Sequence, residues 1–379
     1  MKKILHVIST FFSVYPFFEN QFRHFVSNGY EIHLALSPSG EIEEYANEQE
    51  IKYFETPINR NYSLFDDLKS ILAIYKYIKK NNIEIVAGHS PKGALIAMFA
   101  SYLAGTKRRI YFRHGLVYET SKGIKRSILM FVERLTSFLA KEVVCVSPYL
   151  MEKSIKDRLT RKSKLKILNI GSCNGVDAVK KFNSSNIQSD KKQTLKAKLG
   201  IHDGDFVIGY VGRLAKEKGI NEIVTTFSLF NEKNKNSYLL LIGPLEDRDV
   251  ISDETFSKIQ QGKNIIYTGE IYEDLEYYYS LMDIFLYPSY RDGFGNAIIE
   301  ASSMEIPVLT TSFSGNKDAI RNGITGQYIS LDPNEISLKI EDYFTNKELA
   351  KIHGRNGRDF VEKNFSNEII WKYLDDLYK

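Results

Sequence analysis

The sequence predicts an α/β protein with two doubly wound, Rossmann-like parallel sheets, one in each of two domains that face a cleft. Three observations indicate this fold class. Short apolar runs alternate with longer segments of helical period along the whole chain. The 379 residues are roughly twice the length of one ordinary domain. A polar, lysine-rich stretch, VKKFNSSNIQSDKKQTLKAK, divides the pattern into two series.

The first series begins with a buried strand, KILHVI. Polar residues interrupt its apolar run and no small-residue cleavage site follows, so a secretory signal is not indicated. The later strands expected in this series are EIHLALS, EIVAGHS, RIYFRHG and EVVCVSP. The helices expected between them are ENQFRHFVSNG, FDDLKSILAIYKYIKK and KGALIAMFASYLAG.

The second series repeats the alternation. Its expected strands are FVIGYVGRL, SYLLLIGP, NIIYTGE, DIFLYPS and IPVLTTS, and its helices include GINEIVTTFSLFNEK and DLEYYYSLM. We expect an N-terminal, acceptor-binding domain at 1–173, a junction at 174–204 and a C-terminal, nucleotide-sugar-binding domain at 205–360. A final helix at 361–379 is expected to pack back on the first domain.

The composition is that of a globular protein, with 43% hydrophobic and 26% charged residues. Cys145 and Cys173 are the only cysteines, so no disulfide framework is implied and a reducing compartment fits. No stretch reaches the roughly 18 uninterrupted apolar residues of a membrane span. We therefore expect a cytoplasmic protein.

Basic residues concentrate in the first half of the chain. Residues 1–178 hold 26 Lys and Arg against 17 Asp and Glu, a net charge of +9, and the remaining 25 against 30 give −5. Such a surface can meet anionic lipid headgroups or a pyrophosphate-bearing acceptor. Nucleic acid is the least favoured partner, because no reader motif accompanies the charge.

One basic segment, residues 122–141, is also amphipathic. Its apolar residues at helical spacing are Ile124, Ile128, Phe131, Leu135 and Phe138. This pattern favours a helix that rests on an anionic membrane, a helix that packs its apolar face on the sheet, or both if its basic edge alone meets the headgroups.

The stretch YRDGFGNAIIEA, residues 290–301, reads as a strand end, a glycine-rich loop and a helix start. Gly293 and Gly295 let the backbone approach a ligand, and a helix N-terminus offers amide donors to a diphosphate. Asn296 and Glu300 share one helix face, and Asp292 lies on the loop before it. The stretch predicts a phosphate and sugar cradle, or else an ordinary turn with solvated acids.

A second stretch, YVGRLAKEKGI, ends a strand at Gly212 and places Arg213 and Lys218 five residues apart. Both cations can reach one pyrophosphate and stabilise a departing nucleotide, although a solvated helix start has the same pattern. In the first series, His89 and His114 each follow a strand, where ligands of parallel sheets bind. They either line a sugar pocket or are structural, hydrogen-bonded histidines.

These stretches together resemble the bacterial glycosyltransferases of family 4, whose two-domain architecture is called GT-B. The likeness covers nearly the whole chain. It rests on GRLAKEKG, PSYRDGFGNAIIEASSMEIPVLTT, SGNKDAIRNGITG, HSPKG, RHG and GSCNGVD.

The resemblance implies roles for these residues. Arg213 and Lys218 would hold the donor diphosphate, Glu300 the ribose hydroxyls and Asp292 the donor sugar, while His114 would lie beside that sugar. The family carries glutamate where this chain has Asp292, one methylene shorter. The donor-binding positions implied are Gly212, Arg213, Lys218, Gly293, Phe294, Gly295, Asn296 and Glu300.

The resemblance also implies the reaction, a retaining transfer of a hexose or N-acetylhexosamine from a UDP-sugar. The acceptor would be a polyprenyl-diphosphate-linked saccharide for capsule or O-antigen, reached from the cytoplasmic side of a membrane. No cofactor or metal is expected, and the acidic pair in DRD, residues 247–249, reads as a solvated loop. Two alternatives stay open: a nucleotide-sugar epimerase of the same architecture, and a non-catalytic nucleotide-sugar-binding partner protein.

Overall fold

The computed structural model describes residues 1–14, 18–58 and 63–379. It divides into two compact units. Met1–Asn174 and Ile370–Lys379 form the N-terminal unit, and Gly175–Ile369 form the C-terminal unit. Each unit has a parallel sheet with connecting helices, which confirms the predicted fold class.

The N-terminal unit is built on a seven-stranded sheet in the order β3-β2-β1-β4-β5-β6-β7, with parallel pairing throughout. Its strands are β1 Lys2–Val7, β2 Tyr30–Leu36, β3 Lys52–Glu55, β4 Ile85–Gly88, β5 Arg108–Arg113, β6 Glu142–Cys145 and β7 Leu165–Lys166. Its helices are α1 Gln21–Ser27, α2 Ile42–Gln49, α3 Leu64–Asn81, α4 Pro91–Leu103, α5 Gly123–Leu139 and α6 Pro148–Lys156.

The C-terminal unit has a six-stranded parallel sheet in the order β10-β9-β8-β11-β12-β13. Its strands are β8 Phe206–Val211, β9 Ser237–Ile242, β10 Ile265–Tyr267, β11 Ile284–Tyr287, β12 Val308–Thr311 and β13 Gly326–Ile329. Its helices are α7 Ser189–Lys198, α8 Ile220–Lys233, α9 Asp253–Gln261, α10 Leu275–Tyr279, α11 Asn296–Ser303, α12 Pro333–Thr345 and α13 Lys347–Asn364.

The order of each sheet reverses at one place, between β1 and β4 in the first and between β8 and β11 in the second. Parallel α/β sheets leave a crevice for ligands outside the carboxyl ends of the strands at such a point. The central strands that flank these positions are almost fully buried. The two reversals therefore mark where each unit can hold a ligand.

The chain ends in two helices joined at Phe365 and Ser366, where the sequence indicated one continuous segment. After α13, helix α14 spans Asn367–Tyr378, and residues 370–379 belong to the N-terminal unit. There the Trp371 indole donates to the Asn174 side-chain oxygen at 2.8 Å, and Tyr378 is fully buried. The C-terminal residues thus complete the core of the first unit.

Helix α5 buries three polar residues, Glu133, Thr136 and Ser137, and exposes most of its predicted apolar face. Glu133 on its inner face accepts hydrogen bonds from Tyr111 and from the fully buried Arg113. The packing of its apolar face on the sheet, one of the expectations for this segment, is therefore wrong. Four of its apolar side chains are exposed by 56–81%: Ile124, Ile128, Phe131 and Phe138. Among the described residues, no helix is both long and apolar enough to cross a membrane.

Candidate functional site

The candidate site lies at the carboxyl ends of β8 and β11, where the order of the second sheet reverses. Gly212 follows β8 directly, and the turn 216–218 leads into helix α8. The loop 288–295 follows β11 and leads into helix α11. Both stretches singled out in the sequence therefore meet at one edge of one sheet.

Glycine lets the backbone of this edge pack closely. A Cβ at Gly243 would lie 2.1 Å from the Gly212 carbonyl oxygen, and a Cβ at Gly315 would lie 1.9 Å from that of Gly293. No side chain fits at such separations. The segment around Gly315 consequently supports the loop after β11 from behind, and the Gly315 amide donates to the Asp292 carbonyl at 3.0 Å.

Lys218 and Asp292 form an ion pair at the centre of the site. The ammonium nitrogen lies 2.5 Å from one carboxylate oxygen, and both side chains are mostly buried. The ammonium also lies 5.7 Å from the centre of the Tyr287 ring. Because Lys218 makes this one hydrogen bond to a described residue, two of its three N–H donors remain for a ligand.

Asp292 is held in its ionised form. Tyr287 donates to it at 2.7 Å and the Gly293 amide at 2.9 Å. Burial alone would raise the pKa of this carboxyl, but Lys218 and these two donors outweigh it and lower the pKa below its ordinary value. Asp292, which stands where the family carries the longer glutamate, is thus an ionised carboxylate held in one position at the edge of the sheet.

Arg213 belongs to a neighbouring ionic cluster. Its guanidinium donates to Glu246 and, at 3.1 Å, to Glu217, and Arg291 donates to Glu217 at 2.6 Å. Burial would lower the pKa of Arg213, but the two carboxylates raise it. These are its two hydrogen bonds to the described part of the chain, so three of its five N–H donors remain available at a side chain that is one-third exposed.

Glu300 and Asn296 lie on helix α11 at the same edge. The Tyr279 hydroxyl donates to Glu300 at 2.7 Å, which fixes the carboxylate on the helix face that Asn296 shares. Gly295 is the N-cap, with φ +76°, and within the described ranges no side chain caps this helix. The positive end of the helix dipole therefore points to the loop after β11.

The predicted residue Phe294 is 3% exposed and packs against Phe365, which leaves its backbone for contact with a ligand. Next to this loop, Asn316 is fully buried. Neither polar atom of its amide has a hydrogen-bond partner among the described residues. A Cβ at Gly295 would lie 2.8 Å from the amide oxygen.

Sequence reasoning missed several residues that hold the predicted ones in place. The four-residue spacing of Arg213 and Glu217 was a usable signal. Glu246, Arg291 and Tyr279 had none, because their contacts join parts of the chain that are 21 to 74 residues apart. Tyr287 lies only five residues before Asp292 but was read as part of a buried strand, and nothing in the sequence singles out Asn316. The expected solvated loop at 247–249 also has a structural part, since the Asp249 carboxylate accepts from the Glu217 amide at 2.5 Å.

His89 and His114 lie in the N-terminal unit, after β4 and β5. Their rings are joined by a hydrogen bond of 3.0 Å between His89 Nδ1 and His114 Nε2. Burial lowers the pKa of both imidazoles, that of His114 to about 3, so both are neutral at physiological pH. The sequence predicted their positions on the sheet but not this contact.

Comparison with known proteins gives the family. The model described as "Glycosyl transferase 4-like" matches residues 3–147, and "Glycosyl transferases group 1" matches residues 191–360. The capsular polysaccharide biosynthesis glycosyltransferase CapM of Staphylococcus aureus is 34% identical over 378 residues, which cover 100% of this chain and 97% of CapM.

A second relative is a UDP-Gal:alpha-D-GlcNAc-diphosphoundecaprenol alpha-1,3-galactosyltransferase of Escherichia coli. It is 25% identical, and the match covers 92% of this chain and 89% of the relative.

Solved structures share the fold. A glycosyltransferase from Rickettsia africae has a TM-score of 0.80 at 22% identity, covering 100% of this chain and 98% of that one. Anabaena HepE, solved in complex with UDP and glucose, has a TM-score of 0.81 at 15% identity and 99% coverage of both chains. With its two family matches and its full-length relative, the chain belongs to the group 1, family 4-like glycosyl transferases and is a glycosyltransferase of GT-B fold.

Proposed function

We propose that this glycosyltransferase moves a hexose or an N-acetylhexosamine from a UDP-sugar to a polyprenyl-diphosphate-linked saccharide, with retention of configuration, during capsule or O-antigen synthesis. The staphylococcal relative is named for capsular polysaccharide. The name of the Escherichia coli relative specifies UDP-galactose and a diphosphoundecaprenol-linked acceptor. Both names support a nucleotide-sugar donor and a lipid-linked acceptor for this chain.

The observation that carries the proposal is the pairing of Lys218 with Asp292 at the reversal of the second sheet. A cation with N–H donors left over by its described contacts, a fixed carboxylate and the N-terminus of α11 meet there. The cation and the helix amides suit a diphosphate, and the carboxylate suits sugar hydroxyls. Glu300, fixed by Tyr279, is the corresponding acceptor for ribose hydroxyls.

In the reaction we infer, the bond between the anomeric carbon and the phosphate oxygen breaks as the acceptor oxygen forms its bond on the same face. The acceptor proton passes to the departing diphosphate, so no separate general base is needed. Lys218 and Arg213 stabilise the charge that develops on the leaving group. We also infer that these two cations make the reaction independent of metal, so EDTA should leave the rate unchanged.

The test is transfer by the purified protein. UDP-glucose, UDP-galactose and their N-acetylated forms are each incubated with undecaprenyl-diphosphate-linked GlcNAc, and the lipid product is detected by mass spectrometry. We expect one donor to give a product, Lys218→Met to abolish it, and Lys216→Met, an exposed lysine of the same turn, to retain it. If the protein isomerises the sugar of the donor when no acceptor is present, it is an epimerase. If it binds the UDP-sugar but forms no product, it is a non-catalytic partner protein.

We further propose that the exposed face of α5 rests on the membrane that carries the acceptor. Exposed Lys122, Lys125 and Arg134 accompany its exposed apolar side chains, and together they match an interfacial helix on anionic lipid. Ile128→Ser with Phe131→Ser should prevent sedimentation with phosphatidylglycerol vesicles. The control is Leu338→Ser, an equally exposed apolar side chain on helix α12. Equal sedimentation of all three proteins would refute this docking surface.

A further inference from the structure

Three imidazoles form one hydrogen-bonded chain at the reversal of the first sheet. His6 lies on β1, and its Nδ1 is 3.0 Å from His89 Nε2. His89 Nδ1 is in turn 3.0 Å from His114 Nε2. The far nitrogen of His114, Nδ1, is 3.7 Å from the Cys173 sulfur. His6 and His89 are 1% and 2% exposed, so water does not compete for these bonds.

The rings must share one direction of donation. Burial lowers the pKa of all three imidazoles, that of His6 to about 3, so each ring is neutral and carries one N–H. If His6 donates from Nδ1, His89 accepts at Nε2 and must donate from its own Nδ1. His114 then accepts at Nε2 and carries its proton on Nδ1. The reverse direction would place every proton on Nε2.

The pocket around His6 decides between the two directions. His6 Nε2 is buried without a hydrogen-bond partner among the described residues, and its ring packs against Phe18, Phe22 and Tyr378. A buried N–H without an acceptor is rarer and more costly than a bare acceptor. The proton of His6 therefore belongs on Nδ1, and the chain runs toward His114.

The backbone is shaped to hold His89 in this chain. Ser90, the next residue, has φ +59° and ψ 155°, a strained conformation for a residue with a side chain. Its hydroxyl is 2.7 Å from that of Ser9, just after β1. A Cβ at Gly88 would lie 2.7 Å from the Ala94 backbone, so glycine lets helix α4 approach the end of β4.

We propose that His6 and His89 are positioning residues, which fix the ring of His114 and keep its proton on Nδ1. Its functional meaning rests on the proposed transfer function and on the role that the family resemblance implies for His114. The ring of His114 is then fixed with its N–H on Nδ1, the nitrogen that faces the Cys173 sulfur. Removing His6 should therefore loosen the ring of His114 without touching it.

The first test does not depend on activity. Nitrogen-15 spectra of histidine-labelled protein separate protonated from bare ring nitrogens. We expect Nδ1 to be protonated in all three rings of the wild type and in the remaining rings of His6→Asn, whose side-chain amide nitrogen replaces Nδ1. In His6→Leu the cost of a buried N–H without an acceptor keeps His89 Nε2 bare, so the protons should stay on Nδ1, while the Nε2 resonance of His89 moves to that of a nitrogen that accepts no hydrogen bond. Protons on Nε2 in the wild type, or an unchanged His89 Nε2 resonance in His6→Leu, would overturn the proposal.

The second test is kcat/KM for transfer. We expect His6→Leu to lower it at least tenfold and His6→Asn to restore most of it. His33→Leu is the matched control, because His33 is equally buried on the next strand but bonds to Glu31 and Tyr77. Equal rates for His6→Leu and wild type would overturn the positioning role. If the wild type transfers no sugar while the spectra agree, the proposed function fails and the imidazole chain stands.

Discussion

Breaking the Lys218–Asp292 pair should destabilise the loop after β11 by a predictable amount. In Lys218→Met, Asp292 keeps the Tyr287 and Gly293 donors but loses its cation in a site where its side chain is 18% exposed. Removing one partner of a fully buried pair costs about 3–5 kcal/mol. Because Asp292 keeps two donors and is partly exposed, we expect the free energy of local opening to fall by about 2–3 kcal/mol here. This corresponds to a roughly 30- to 150-fold larger opening equilibrium constant.

The measurement is native-state hydrogen exchange, followed by mass spectrometry on peptides that cover β11 and α11. Lys218→Met should speed exchange there by that factor. Adding Asp292→Asn should restore most of the protection, because the amide needs no counter-ion, while transfer activity stays absent. Lys216→Met should exchange like wild type. A double variant as labile as Lys218→Met, or a Lys218→Met protein as protected as Lys216→Met, would refute the electrostatic reasoning.

Three further outcomes are expected. Between pH 7.5 and 5.0, His6 takes up a proton in the unfolded protein but stays neutral in the folded protein, where its pKa is about 3. Lowering the pH over this range should therefore reduce the free energy of unfolding by about 2 kcal/mol through this ring. Urea unfolding followed by the single tryptophan should show a shallower fall in His6→Leu, and parallel curves would contradict this. Gly315→Ala should cost about 1–3 kcal/mol by overpacking, in contrast to Gly40→Ala, where a Cβ meets nothing; equal melting temperatures would be contrary evidence. Glu300→Gln should weaken UDP binding at least tenfold in calorimetry, and unchanged affinity would remove its assigned role.

The architecture was predictable because its signals are local. Ten strands of the two series follow from short apolar runs, as in FVIGYV, where every residue but the last is buried. Strand β3 was missed because Lys52–Glu55 is mostly exposed and lacks the apolar run of a central strand. Strand β7 is two residues long, too short for any period to show.

The candidate site was predictable only in part. Spacing placed Asn296 and Glu300 on one helix face, and the strand ends placed Lys218 and Asp292 at one edge. Lys218 and Asp292 are 74 residues apart, so no local pattern could announce their contact. For α5 the period revealed an apolar face, but a period does not say which face points inward. A charged residue such as Glu133 is ordinarily expected on the exposed face of a helix. It lies on the inner face of α5 because it bonds to the buried Arg113, a contact that the sequence does not reveal.

The return of residues 370–379 to the N-terminal unit affects synthesis on the ribosome. The 195 residues of Gly175–Ile369 separate the two parts of that unit. Its first 174 residues leave the exit tunnel long before Trp371 and Tyr378 exist to fill their places. The core of the N-terminal unit therefore stays incomplete until the last ten residues are synthesised. The C-terminal unit is continuous in the chain, so all of its residues are synthesised before the N-terminal unit is complete.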